Sequence, residues 1–267
     1  VYKRQDQSED KLIYKEDDNE FNIWLSESRT KKYIYIYIEK TDSSEVWLLD
    51  KDNPLGNLEL VLKRSENHLY SIEDGGDYFY ALSNYDDAKN FKVMRLEKDS
   101  FQNINNWEEV IEVRDTHYIE DMLTFNEFIV IQSRYDGIPI IEVFNFANNS
   151  LNQIDMKDEV YDLGLVYNNN FDSSFFRYSY SSLKTSPQIL KYDLYENTNN
   201  VIWKKQVNNF IDTDYEIKRI KTLARDDTNV PVSIVYKKGL DLKNAPMLIY
   251  GYGSVSYTHL RAHETCV

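Results

Sequence analysis

The segment Tyr33-Ile-Tyr-Ile-Tyr-Ile-Glu-Lys40 decides the fold, and similar segments recur along the chain. Runs rich in Tyr, Ile, Val and Phe open near Tyr33, Tyr78, Phe128 and Phe175, so that successive openings lie about 45 to 50 residues apart. These residue types favour β-strands because they suit a pleated, half-buried surface. The regular spacing indicates a repeated β unit.

Each opening run is followed by shorter runs of the same kind. Second runs begin at Val46, Val93, Ile141 and Ile189, third runs occupy 58–62, 109–113, 151–156 and 201–205, and fourth runs occupy 67–72, 116–123 and 160–166. Turn-forming residues such as Asp136-Gly137 separate the runs. Four short strands per period are typical of a β-propeller blade, whose small sheet buries its faces only against neighbouring blades. A large β-sandwich is the alternative that this spacing leaves open.

Composition excludes several classes of protein. The 267 residues hold 31 Lys and Arg against 45 Asp and Glu, for a net charge of −14, with 42% apolar and 14% aromatic residues. The apolar content argues against a disordered chain, and the acidity argues against nucleic acid as a partner. The longest apolar run has six residues, Tyr33–Ile38, whereas a membrane-spanning helix needs about 20, so no membrane partner is expected. A single cysteine, Cys266, favours a reducing, cytoplasmic location.

The pattern changes after Phe210. Two runs, 216–223 and 230–237, enclose a polar turn, and the later segment Pro246–Gly253 is apolar without alternation, ending in Tyr250-Gly-Tyr-Gly253. Such a segment is typical of a strand buried on both faces of a parallel sheet. Two of the eight glycines lie at its end, which favours a sharp turn or a close approach to a ligand.

Three motifs carry a resemblance to a known family. They are Arg177-Tyr-Ser-Tyr-Ser-Ser-Leu-Lys-Thr185, the pair Ala224-Arg225-Asp226 and Val230–Lys237, and Tyr250-Gly-Tyr-Gly-Ser254. In this order and spacing the chain, from about residue 6 to 254, resembles the prolyl oligopeptidase family of serine peptidases, in its oligopeptidase B branch. The resemblance implies a mainly β chain: a partial seven-bladed β-propeller with four-stranded blades, followed by the first strands of an α/β-hydrolase domain. About four or five blades are expected.

The resemblance also implies domain limits. Residues 1–209 are expected to form the partial propeller and residues 210–254 the start of the peptidase domain. The segment 255–267 matches nothing in the family, and it and residues 1–5 are interpreted as non-native sequence. The histidines and cysteine of this tail, His259, His263 and Cys266, imitate metal-ligand spacing but are therefore assigned no role.

The function implied is a serine-type endopeptidase that hydrolyses short cationic peptides after Lys or Arg, with the propeller gating access. Within the family the second tyrosine of Tyr-Gly-Tyr-Gly donates to the oxyanion, a role that falls here on Tyr252. No Gly-x-Ser-x-Gly nucleophile motif occurs, and the family's serine, aspartate and histidine come later than these motifs, so the chain as printed is expected to be inactive. Two alternatives remain: a prolyl oligopeptidase that cleaves after Pro, and a non-catalytic propeller that binds proteins.

No cofactor or metal is predicted. The segment Asp212–Glu216 resembles the start of a calcium loop, but Ile217 and Leu223 occupy the positions where such a loop needs Gly and Glu. His68 and His117 lie in strand contexts and are interpreted as ordinary packed or surface residues. The sequence leaves the oligomeric state open.

Overall fold

The computed structural model of the chain describes residues 10–251, and these residues form an almost entirely β structure. Four antiparallel sheets of four strands follow one another along the chain, and a two-stranded hairpin follows them. We call the four sheets blades 1 to 4. Their strands are β1 (Asn22–Glu27), β2 (Tyr33–Lys40), β3 (Ser43–Asp50) and β4 (Glu59–Leu60) in blade 1; β5 (Tyr70–Asp74), β6 (Tyr78–Ser83), β7 (Lys92–Glu97) and β8 (Glu108–Ile111) in blade 2; β9 (His117–Thr124), β10 (Phe128–Tyr135), β11 (Ile138–Asn145) and β12 (Ser150–Gln153) in blade 3; and β13 (Tyr161–Leu165), β14 (Phe175–Ser182), β15 (Gln188–Asp193) and β16 (Thr198–Lys204) in blade 4.

The four-strand repeat predicted from the spacing is confirmed, but the grouping of the strands is different. Each predicted fourth run corresponds to the first strand of the next blade: 67–72 contains the start of β5, 116–123 covers all of β9 but its last residue and 160–166 contains β13. Blade 1 has its own first strand, β1, which the spacing did not predict and which pairs with β2 through Ile23↔Ile38 and Leu25↔Ile36. The grouping depends on which strands share hydrogen bonds, and equal spacing along the chain cannot show this.

The core lies between blades, and this explains the continuous apolar runs. Along β6, Phe79 and Ala81 pack toward blade 1, while Tyr80 and Leu82 pack toward blade 3. A third cluster, including Phe128, Val143 and Phe176, fills the space between blades 3 and 4. Because successive residues of a strand point to opposite faces, a strand between two neighbouring blades must be apolar at every position.

The hairpin consists of β17 (Tyr215–Leu223) and β18 (Asn229–Lys237), which confirms the two runs predicted after Phe210. The predicted buried strand after it is wrong within the described residues. Residues 246–250 form no strand, and Leu248 and Tyr250 are 93% and 86% exposed. Their burial requires paired strands on both sides, whereas β17 and β18 pair only with each other among residues 10–251. Nor does any helix in this part of the chain have the length and apolarity to span a membrane.

Candidate functional site

The residue predicted to donate to an oxyanion, Tyr252, lies outside the described residues, which end at Gly251. The same holds for residues 1–5 and for His259, His263 and Cys266 of the tail. The oxyanion role therefore stays a prediction. The propeller and the hairpin that precede Tyr252 in the sequence can be described in detail.

The meander order of the blades gives the propeller two different ends. Turns between the second and third strands, together with the connections between blades, lie at one end, and the remaining turns lie at the other. The hairpin β17–β18 contacts the first of these ends through Asp136, in the turn between β10 and β11, and Glu159, in the connection from blade 3 to blade 4. We call this end the hairpin face and the other the opposite face.

Asp136 is the main contact of the hairpin. Its backbone carbonyl accepts a hydrogen bond from the Arg219 guanidinium, and its carboxylate lies 3.1 Å from Lys221 Nζ and 3.7 Å from Arg219 Nη2. The backbone N–H of Arg219 donates to Glu159 Oε2 at 3.2 Å. Asp136 and Gly137 both have positive φ, 47° and 77°, as a two-residue hairpin turn matching the strand twist requires. The Asp-Gly pair thus makes the turn and presents a carboxylate to β17.

Charged residues in the connections between blades reinforce the hairpin face. Arg114, between blades 2 and 3, donates twice to Glu142 of β11, at 2.6 and 2.7 Å, and the Ser133 hydroxyl donates to the same carboxylate at 2.8 Å. Burial alone would raise the pKa of Glu142, but these hydrogen bonds hold it below its usual value.

Asp158, in the connection between blades 3 and 4, makes a second contact of this kind. Its carboxylate pairs with Lys184 at 3.0 Å and accepts hydrogen bonds from the hydroxyls of Tyr180 and Thr185. Although burial opposes it, these donors lower the pKa of Asp158. Each carboxylate therefore ties an incoming connection to the blade that it enters.

At the opposite face, residues of all four blades meet around Arg29. Its backbone N–H donates to Glu73 at 3.1 Å, its guanidinium lies 4.0 Å from the centre of the Phe125 ring, and Nη2 donates to the carbonyl oxygen of Asn170 at 3.2 Å. Burial raises the pKa of Glu73 to about 7 and lowers the pKa of Arg29 to about 10. The neighbouring Asp74 is fully buried and pairs with Lys98 at 2.8 Å.

The described histidines are packed, as the sequence predicts. His68 is buried, stacks on Tyr70 and shares a hydrogen bond with Ser83 at 3.0 Å. Burial lowers the pKa of His68. His117 stacks on Tyr135. Within the described part of the chain no carboxylate is hydrogen-bonded to the His68 ring, so there the His68–Ser83 pair lacks the third member that a hydrolytic triad needs. Among residues 10–251 no group of three or more His, Cys, Asp or Glu residues could hold a metal ion.

Comparisons with a family model, with curated proteins and with solved structures show which proteins this chain resembles. Residues 1–206 match the model of the prolyl oligopeptidase N-terminal β-propeller domain. Curated relatives include Protease 2 of Moraxella lacunata, 28% identical over 93% of this chain and 36% of that protein, and dipeptidyl aminopeptidase BI of Pseudoxanthomonas mexicana, 29% identical over 92% of this chain and 34% of that protein. Oligopeptidase B from Trypanosoma brucei, solved with covalently bound antipain, superposes with a TM-score of 0.81 at 28% identity, over 90% of this chain and 35% of that one.

The chain thus spans about a third of the length of these relatives. The family match covers all four blades described above. The chain belongs to the prolyl oligopeptidase family, and its blades are those of the family's N-terminal β-propeller domain.

Proposed function

We propose that this chain is the propeller-bearing part of a serine-type peptidase similar to oligopeptidase B, which hydrolyses short peptides after Lys or Arg. The observation that carries the proposal is the docking of β17–β18 on the hairpin face through Asp136 and Glu159. This contact holds the hairpin at one defined end of the propeller, and the segment that leads to Tyr252 follows the hairpin in the sequence. In this proposal residues 210–254 begin the peptidase domain, and substrates are limited in size by the propeller.

The charge of the chain supports the choice of a cationic substrate. A net charge of −14 favours the approach of peptides that carry Lys or Arg, and this attraction weakens as salt screens it. The relatives are named as a protease, a dipeptidyl aminopeptidase and an oligopeptidase B, so the position of cleavage needs a direct test. Cleavage after Pro is the alternative within the family.

The test is to recover the reading frame of the parent gene, express its whole product and compare fluorogenic amides that end in Arg-Arg, in Gly-Pro and in a free-amino dipeptide. We expect the Arg-Arg amide to have the highest kcat/KM, with a decrease at 0.5 M salt that a neutral substrate does not show. Preference for the Gly-Pro amide would favour the prolyl alternative. A parent product with no nucleophile motif and no hydrolysis would favour the binding scaffold.

Tyr252 is tested in the same protein. Replacing it with Phe removes the hydroxyl that is proposed to donate to the oxyanion, which typically costs about 2.7–4 kcal/mol or about 10²–10³ in kcat. Tyr250→Phe is the matched control, because Tyr250 lies two residues away and is exposed in the structure. Equal activities of the two variants would refute the role of Tyr252. The chain as printed is expected to hydrolyse none of the three amides.

A further inference from the structure

A cavity of about 620 Å³ lies between blades 2 and 3. Residues of the turns that follow β5, β9 and β11 line it, including Gly75, Asn126 and Asn149, and these turns place it at the opposite face. Its volume falls within the range of about 300–1,000 Å³ that is usual for ligand sites. We call it the blade 2/3 cavity.

The length of one turn explains why the cavity is open. In blade 2, the long connection 98–107 between β7 and β8 sends Phe101 and Trp107 into the core that blade 2 shares with blade 1. There the centroid of the Phe101 ring lies 5.4 Å from that of Phe79, and Trp107 Nε1 donates to the Phe101 carbonyl oxygen at 2.7 Å. The equivalent connection of blade 3 is the short turn 146–149, and its Phe146 stacks on Tyr80 instead. Among residues 10–251, no pair of aromatic side chains like Phe101 and Trp107 fills the space beside Tyr80, and the cavity lies there.

The lining combines aromatic rings with an excess of carboxylates. Tyr80 and Phe146 stack with centroids 5.3 Å apart and planes 14° apart, and this pair forms an aromatic wall. Asp77, Glu108 and Glu109 also line the cavity, together with the cation Arg95. Glu109 is paired with Lys92 at 3.1 Å, so among residues 10–251 three carboxylates face two cations here. The lining is therefore net negative, which disfavours an anionic ligand.

The contacts of Arg95 show that the lining of the blade 2/3 cavity can hold a cationic side chain. Its guanidinium lies 4.6 Å from the centre of the Tyr78 ring and pairs with Glu108. A cation held between an aromatic face and a carboxylate is stabilised by both groups. A second basic side chain that enters this cavity would find aromatic rings for its alkyl stem and two lining carboxylates, Asp77 and Glu108, of which Glu108 would be shared with Arg95.

We propose that the blade 2/3 cavity binds a peptide segment that carries Lys or Arg, with the basic group near Glu108 and the adjoining apolar atoms on the aromatic wall. This goes beyond the proposed peptidase activity. It requires no catalytic residue, so it can be true or false whether or not the parent protein hydrolyses peptides.

The test is a fluorescence-anisotropy titration of a labelled Ala-Leu-Arg-Phe-Arg-Ala peptide with the full printed chain. Glu108→Lys replaces a negative charge with a positive one. The Glu108 side chain is 61% exposed, so the fold does not depend on it. Glu112→Lys is the matched control, because it makes the same charge change at an exposed position just after β8, toward the hairpin face. Asn126→Trp adds a bulky group at the exposed rim of the cavity.

We expect at least tenfold weaker binding for Glu108→Lys and for Asn126→Trp, and a change of less than twofold for Glu112→Lys. A peptide with citrulline in place of Arg should also bind at least tenfold more weakly. Equal weakening by Glu108→Lys and Glu112→Lys would mean general attraction to an acidic chain and would overturn the proposal. So would equal binding of the citrulline peptide, or no binding by the unaltered chain.

Discussion

Replacing Arg114 with Leu should weaken the contact between blades 2 and 3 more than any surface change. Arg114 donates two hydrogen bonds to Glu142, whose side chain is 5% exposed. Without Arg114, the Ser133 hydroxyl would be the one donor left to that carboxylate among residues 10–251. Removing one partner of a buried ion pair typically costs about 3–5 kcal/mol. Because the Arg114 side chain is itself 26% exposed, water partly reaches the site, and we expect a loss near the lower limit, about 3 kcal/mol.

The double variant Arg114→Leu/Glu142→Leu provides the control. This variant has no unpaired buried charge, and its main defect is that the Ser133 hydroxyl no longer has an acceptor. We therefore expect the free energy of unfolding to fall by about 1–2 kcal/mol, which is less than for Arg114→Leu alone. Urea unfolding followed by circular dichroism at low protein concentration measures both.

The pH dependence of this effect has a defined sign. The pKa of Glu142 is lowered in the folded chain, so its stabilising contribution is present above its unfolded pKa, about 4.3, and is lost as the pH falls through the lower folded value. The difference between the unaltered chain and Arg114→Leu should therefore shrink as the pH falls below about 4.3 toward pH 3. A loss below about 1 kcal/mol at pH 7, or a loss that does not change with pH, would refute the reasoning.

Three further outcomes are expected. Asp136→Lys places a positive charge against two basic side chains of β17, so amide exchange in the hairpin should become at least about fivefold faster while exchange in β10 stays unchanged; equal rates in the hairpin would contradict the docking. Gly76→Ala puts a Cβ at φ +89°, so thermal unfolding should show a loss of about 1 kcal/mol, and an unchanged midpoint would argue against strain at this turn. The chain should aggregate through its exposed strand β16, so Ile202→Lys with Trp203→Lys should reduce light scattering on concentration, and scattering equal to that of the unaltered chain would place the association elsewhere.

The sequence was sufficient for the features that depend on local pattern. Runs such as Tyr33–Ile38 are apolar at every position, and they recur at nearly constant spacing, so both the strands and the repeat could be predicted. Asp136-Gly137 marks its turn because few other residue pairs tolerate two positive φ angles in succession. The family could be predicted as well, because its motifs lie in order along the chain.

Only the tertiary structure decided which strands share a sheet and which charged groups meet. Evenly spaced runs permit more than one grouping, and hydrogen-bond partners assign β5, β9 and β13 to the blades that follow. The contact of Arg29 with Glu73, Phe125 and Asn170 joins residues up to 141 positions apart, and the blade 2/3 cavity depends on how far two turns reach over neighbouring blades. Local pattern fixes the direction of each side chain along its own strand, whereas pairing and burial depend on surfaces that distant parts of the chain supply.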